Sequence, residues 1–384
     1  MTIQADISAI ILAAGLSSRM GEFKPLLPLG EKNVLARVVT LFHQTGITDI
    51  RVVVGHRSTE LIAVIEKMGA VAIPNPRYET GMLSSIKAGI DTLPAGRNAF
   101  FLLPVDIPLV RTRTLIDLLG AWKSGEKKIL YPVFSGRRGH PPLISGALRN
   151  GILSWEGDGG LRSFLARQEK DAADVPVADE HILFDIDTPE NYREALSRLE
   201  VYDIPTTREC MAMLETLIGS NTPLFEHCLA VTGVAIHLTQ LLNAAGCDID
   251  TRLITASGLL HDLMRMQPDH AEVAAKWLRG VGYDKVADVV ASHMNIRVQD
   301  EAPLQAQEVI YLADKLVEGK RVVSLTERFG GKQVQFKSKP EASSAVNARF
   351  QTALKIKDRF ESKTGKSLEA VLSGYSPPAA LGKG

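Results

Sequence analysis

At roughly 150 residues per domain, a chain of 384 residues points to two domains rather than one, each with its own core. Lys plus Arg number 44 and Asp plus Glu number 44, and this balance excludes the broad cationic surface that nonspecific nucleic-acid binding requires. Apolar residues at 45% and charged residues at 23% exclude global disorder, and three cysteines without a CxxC pair exclude a disulfide framework and a Cys-type zinc site.

From the N-terminus, residues 1–6 carry no basic region, and the apolar run 7–15 is too short for a bilayer. The expectation is a cytoplasmic chain with no signal peptide, membrane span or nucleic-acid partner. Apolar runs at 7–13, 51–54, 71–74, 99–105 and 128–134 predict strands, and helical spacing at 34–44, 58–68, 82–93 and 112–122 separates them. Continuous apolar strands alternating with helices predict a mostly parallel α/β sheet with helices on both faces. After residue 192 the period is helical, over 189–200, 207–219, 223–245, 251–263, 269–281, 283–294, 303–327 and 343–371, so an all-α domain follows. The expected boundaries are 1–200 and 207–372, joined across Pro205, with a flexible Pro/Gly-rich tail at 373–384.

The first strand runs into LAAGLSSRMGEFKP at 12–25. Gly15 is expected at positive φ at the strand exit, with Ser17 and Ser18 as small donors and Arg19 and Lys24 as cations for an anion. The run is neither the Walker pattern nor GxGxxG. It closely resembles the LAAGxSxRMG…KP signature of the MobA/MocA-like nucleotidyltransferases of molybdenum cofactor synthesis. That resemblance implies a Rossmann-like, nucleotide-diphospho-sugar transferase-like sheet, with Leu12, Ala13, Ala14, Gly15, Ser17, Ser18, Arg19 and Lys24 binding the nucleotide. Further segments extend it. LLPVDIP at 102–108 is similar to the family's second motif and makes Asp106 the carboxylate for Mg²⁺, a hard ion that prefers oxygen. NPRYETGMLSSIK at 75–87 implies nucleotide contacts from Gly81, Ser84 and Ser85, and GHPPL at 139–143 places His140 beside the acceptor pocket. FDIDTPENY at 184–192 is similar to the closing strand and turn, with Asp185 the favoured second metal ligand and Asp187 capping the next helix, the two roles being exchangeable.

The implied activity is attack of an acceptor phosphate on the α-phosphorus of an NTP with release of pyrophosphate, driven by Arg19, Lys24, Asp106 and Asp185. LAAG favours CTP, and molybdopterin or its molybdenum cofactor is the implied acceptor; a sugar or alcohol phosphate is the alternative. A molybdoenzyme or its chaperone is a further expected partner.

The second half concentrates histidines: His227, GLLHDLM at 258–264 with His261 and Asp262, His270, His293, and YLADKL at 311–316 with Asp314. Imidazoles with carboxylates suit Mn, Fe, Zn, Ni or Mg ions. The order His…His-Asp…His…Asp resembles the HD phosphohydrolase superfamily, which implies metal ligation by His227, His261, Asp262 and Asp314, with His293 and then His270 as additional ligands. Met264 and Arg265 depart from the HDIGK form common in that superfamily. The implied activity is metal-dependent hydrolysis of a phosphate ester. The alternative is a catalytically silent HD module in a nucleotide-sensing regulatory protein.

Overall fold

The computed structural model describes residues 6–16, 19–299, 301–335, 338 and 340–375. The chain divides into two compact units, Met1–Tyr202 and Asp203–Gly384.

The first unit is built on one sheet whose strands lie in the order Ala172–Pro176, Ile129–Phe134, Leu143–Ser145, Ala99–Pro104, Ile7–Ala13, Asp49–Val54 and Val71–Pro74. Ile7–Ala13 pairs in parallel with Ala99–Pro104 and with Asp49–Val54, and all seven of its residues are buried. Burial on both faces is why this strand reads as unbroken apolar sequence. Neighbouring residues of a strand point to opposite faces, and the pair Phe100 and Phe101 shows the consequence. Phe100 joins Ile10, Ile86 and Ile90 under the helix Met82–Asp91, whereas Phe101 meets Phe42 of the helix Val34–Gln44 at 5.8 Å between ring centroids. Each fully buried Phe stabilises the fold by about 1.5–3 kcal/mol relative to an exposed one.

Two strands escape the sequence pattern. Leu143–Ser145 inserts antiparallel between Ala99–Pro104 and Ile129–Phe134, and Ala172–Pro176 extends the sheet parallel to Ile129–Phe134. A three-residue strand has too little length to show a period, so pairing defines it. The expected strand at 184–187 is instead irregular chain after the 3₁₀ turn Glu180–Leu183, and the cap of the helix Pro189–Glu200 is Thr188, not Asp187. Thr188 and Asn191 form a reciprocal capping box, which a Thr-Pro start favours.

The second unit is helical, as its period predicts, apart from a two-residue hairpin, Val317–Glu318 with Arg321–Val322. That hairpin divides the expected helix 303–327 into Ala306–Lys315 and Leu325–Gln335. Likewise 343–371 divides into Pro340–Thr364 and Leu368–Leu372, the second capped by Ser367. Val231, Leu238, Ile310, Tyr311, Ile356 and Phe360 lie in its core. Pro223–Ala244 is long and apolar enough to cross a membrane, yet 67% of its apolar window is buried among the other helices. Of the expected tail, residues 376–384 lie outside the described residues.

Candidate functional site

In the first unit the central strands deliver their C-terminal ends to one cavity of about 320 Å³, where open parallel sheets gather ligands. Its walls include Leu12, Ala13, Ala14 and Gly15 from the first strand and loop, Lys24, Ser85, and Asp106 beyond Ala99–Pro104. Gly15 is not among the glycines at positive φ; the left-handed turn of this loop falls on Gly21, at φ 75°. A Cβ at position 15 would meet no atom of the described residues within 4 Å, so its missing side chain widens the cavity rather than permitting a turn. Ser17 and Ser18 lie outside the described residues.

Lys24 is buried at the start of the short turn Lys24–Leu26. Its Nζ lies 2.7 Å from Asp187 Oδ1 and 3.6 Å from Asp106 Oδ2, and exposed Arg19 reaches Asp187 Oδ2 at 2.8 Å. The amide of Ile186 donates to the carbonyl of Asp106 at 2.8 Å, which fastens the 185–187 segment beside Asp106. Burial pushes the Asp106 carboxyl up, Lys24 opposes that, and the charges of Asp187 and Asp185 add to it. The Lys24 hydrogen bond, helped by Arg19, pulls Asp187 down. Asp106 and Asp187 share Lys24, Asp187 also meets Arg19, and Asp185 adds a third charge, an all-oxygen donor set with unbalanced negative charge that fits a hard divalent ion. Asp187 is the one joined to both cations, while exposed Asp185 also acts on His140, whose imidazole burial pushes down.

Around the nucleotide segment, Ser84 Oγ donates to the carbonyls of Arg77 and Gly81 and accepts from Asn75 Nδ2 at 2.9 Å. Ser85 Oγ accepts from the same amide at 3.0 Å and lines the cavity. Both serines are therefore engaged within the protein, and buried Asn75 organises them. Tyr78, Glu79 and Met82 line the cavity as well. The sequence contained them inside the quoted motif, but nothing in it distinguished them from turn residues. His140 N–H donates to the Ile182 carbonyl at 3.0 Å. Gly139 makes that approach possible, since a Cβ there would fall 2.5 Å from the same oxygen.

In the second unit the helices Pro223–Ala244, His270–Gly280 and Ala306–Lys315 carry His227, His270 and Asp314. The ends of Thr251–Leu260 and Asp284–Ser292 contribute His261 with Asp262, and His293. Asp262 stands in the middle. Its Oδ2 is 3.9 Å from His227 Nε2 and 3.7 Å from His261 Nε2, and its Oδ1 is 3.2 Å from His270 Nε2 and 3.3 Å from His293 Nε2. Asp314 Oδ1 closes the first group at 3.3 Å from His227 Nε2 and 3.8 Å from His261 Nε2. His237 lies apart, stacked on Tyr375 with its Nε2 3.2 Å from the Val371 carbonyl.

The remaining ring nitrogens are fixed by the backbone. Nδ1 of His227, His261 and His293 meets the carbonyls of Gly319, Gly258 and Val290 at 2.9, 2.8 and 2.7 Å. A carbonyl only accepts, so each Nδ1 carries the proton and each Nε2 is turned inward. Gly319 belongs to the hairpin that interrupts the expected long helix, which gives that interruption its structural use. Burial pushes His261 down to about 4, and its Nε2 is buried without a hydrogen-bond partner among the described residues. An unpartnered imidazole lone pair facing two carboxylates fits a transition-metal ion. Burial works against the charge of His227, but its Asp314 hydrogen bond and the surrounding carboxylates carry it upward. Two three-donor groups result, His227, His261 and Asp262, and Asp262, His270 and His293, each with donor atoms within 4.8 Å of one another. Lys315, which sequence reading passed over, is buried beside them with Nζ 2.6 Å from Asp314 Oδ2.

Residues 9–172 match the MobA-like NTP transferase domain, and residues 224–318 match the HD domain. The chain is 30% identical over 193 residues to the molybdenum cofactor cytidylyltransferase of Escherichia coli strain K12, covering 50% of this chain and 96% of that one. It is 28% identical over 202 residues to the molybdenum cofactor guanylyltransferase of Rhizobium meliloti strain 1021, covering 49% and 89%. A solved nucleotidyl transferase from Methanothermobacter aligns over 51% of this chain and 98% of its own at 21% identity and a TM-score of 0.45. The chain belongs to the MobA-like NTP transferases through its first unit and carries an HD domain in its second.

Proposed function

We propose that the first unit transfers a cytidylyl group from CTP to the phosphate of molybdopterin or its molybdenum cofactor, and that the second unit is a metal-dependent phosphohydrolase. The observation that carries the transferase reading is Lys24, on the wall of the strand-end cavity, held between Asp106 and Asp187. A phosphate oxygen of the acceptor forms a bond to the α-phosphorus, the α–β P–O bond breaks, and the electron pair leaves with pyrophosphate. The nucleophile is already anionic, so the protein's part is alignment and charge balance. Lys24 and Arg19, which both engage Asp187, are the cations for the polyphosphate. Mg²⁺ held by Asp106 with Asp187 or Asp185 supplies neutralisation of the nucleotide phosphates when bound. His140, in the field of Asp185, borders the acceptor side. The choice of CTP rests on Ala13-Ala14 in the loop and on the likeness to a cytidylyltransferase.

The hydrolase reading rests on Asp262 shared between two donor groups. Divalent metal there supplies a more acidic water and Lewis acidity toward a phosphate ester. The chain's own contribution is to turn the Nε2 atoms inward, through Nδ1–H bonds to the backbone, and to hold Asp314 with Lys315. The test is pyrophosphate release with each NTP, Mg²⁺ and molybdopterin, beside metal analysis and phosphate-ester hydrolysis. Release with CTP above the other nucleotides is expected; no release with any nucleotide would overturn the transferase reading.

A further inference from the structure

The helices Leu325–Gln335 and Pro340–Thr364 fall outside the segment matched to the HD domain, and they hold none of its histidines or aspartates. They nevertheless wall the small cavity of about 70 Å³ that opens on His227, Asp262 and Asp314, contributing Arg328, Phe329, Val346 and Arg349. Arg265 and Lys315 line the same cavity, so four cations face two carboxylates there. Among the described residues the Nε of Arg328 is buried without a hydrogen-bond partner, although its other end reaches Glu318 at 3.4 Å. Arg349 is oriented by a 3.1 Å bond from its Nε to Asn295 Oδ1. A buried guanidinium N–H left unbonded is costly, and a guanidinium fork matches phosphate oxygens in geometry and charge.

Size narrows the ligand. At about 70 Å³ the cavity is on the scale of one tetrahedral oxyanion rather than a nucleoside. A diester would need exits for two substituents, whereas a terminal phosphate needs one. Phe329 and Val346 on the wall lower the local dielectric and strengthen any charge pair formed.

We propose that Arg328 and Arg349 clamp the terminal phosphate dianion of a phosphomonoester, whose remainder stays outside the cavity. This rests on the phosphohydrolase reading of the second unit, and the experiment separates the two. The full chain, loaded with Mn²⁺ or stripped with chelator, is titrated with inorganic phosphate by calorimetry, and hydrolysis of p-nitrophenyl phosphate is compared with that of bis(p-nitrophenyl) phosphate. Arg328→Gln and Arg349→Gln are each expected to raise the phosphate Kd and the monoester KM by about 10- to 100-fold, with kcat less affected and manganese content unchanged. The Arg→Lys forms are expected to recover part of the binding. Unchanged phosphate affinity in glutamine variants that melt like the parent would overturn the clamp even if the parent hydrolyses the monoester. A parent that cleaves the diester as efficiently as the monoester would overturn the monoester assignment. Phosphate binding that is lost in both variants, in a parent that hydrolyses neither ester, would support the clamp while removing the hydrolase reading.

Discussion

Asp185 and Asp187 are two residues apart in the same motif, and the family resemblance favours Asp185 as the second metal ligand while leaving the two roles exchangeable. What separates them is Lys24, 163 positions earlier, whose Nζ hydrogen-bonds Asp187 while Asp185 stays exposed. A contact over that separation exists only once the sheet has formed, so candidate residues can be named from the sequence and their pairing cannot. Asp187→Asn is expected to lower CTP-dependent pyrophosphate release by at least about 100-fold, and Asp185→Asn by much less. The reverse order in the same assay would exchange their roles. At the HD site the decisive atom is the buried, unpartnered Nε2 of His261. His261→Ala is expected to cut bound transition metal, read by elemental analysis, and to abolish the rise in melting temperature on adding Mn²⁺. A variant that retains the parent's metal content would remove His261 from the ligand set.

Elements were most legible where a full period fits inside them. Val34–Gln44 and Pro189–Glu200 fall where their spacing predicts, whereas the three-residue Leu143–Ser145 and the two-residue hairpin after Lys315 are products of tertiary pairing. The cavity above the HD site shows the same limit from another side. Arg328 and Arg349 sit on helices with no motif, and only the packing of those helices brings them to Asp262 and Asp314. The strand Leu143–Ser145 matters because the His140 segment leads into it, and that segment is held by Gly139 against Ile182. In Gly139→Ala the new methyl would meet a backbone oxygen, which cannot swing aside as a side chain can. A loss of about 1–3 kcal/mol in stability is expected, with KM for the acceptor raised more than KM for CTP. Equal changes in both KM values would show that the segment does not border the acceptor.

At the scale of the molecule, each unit closes a hydrophobic core of its own. The cluster around Ile10, Phe100 and Phe164 draws only on the first unit, and the cluster around Val234, Tyr311 and Phe360 only on the second. Each unit is well above the roughly 80 residues below which a single core rarely suffices. The helices on either side of the division, Pro189–Glu200 and Thr207–Ile218, both begin in complete capping boxes, Thr188 with Asn191 and Thr206 with Glu209. Both helix starts are therefore satisfied from within their own unit, and neither needs the other unit to close its first turn. Residues 1–202 produced alone are expected to fold cooperatively and to retain CTP-dependent pyrophosphate release within about twofold of the full chain. Residues 203–384 alone are expected to bind Mn²⁺ with the full chain's stoichiometry. In the intact protein, His261→Ala combined with Asp262→Ala should leave nucleotidyl transfer unchanged. A loss of transfer in that variant, or in the isolated first unit, would show that the two sites depend on one another and that the division of labour follows neither the two cores nor the two caps.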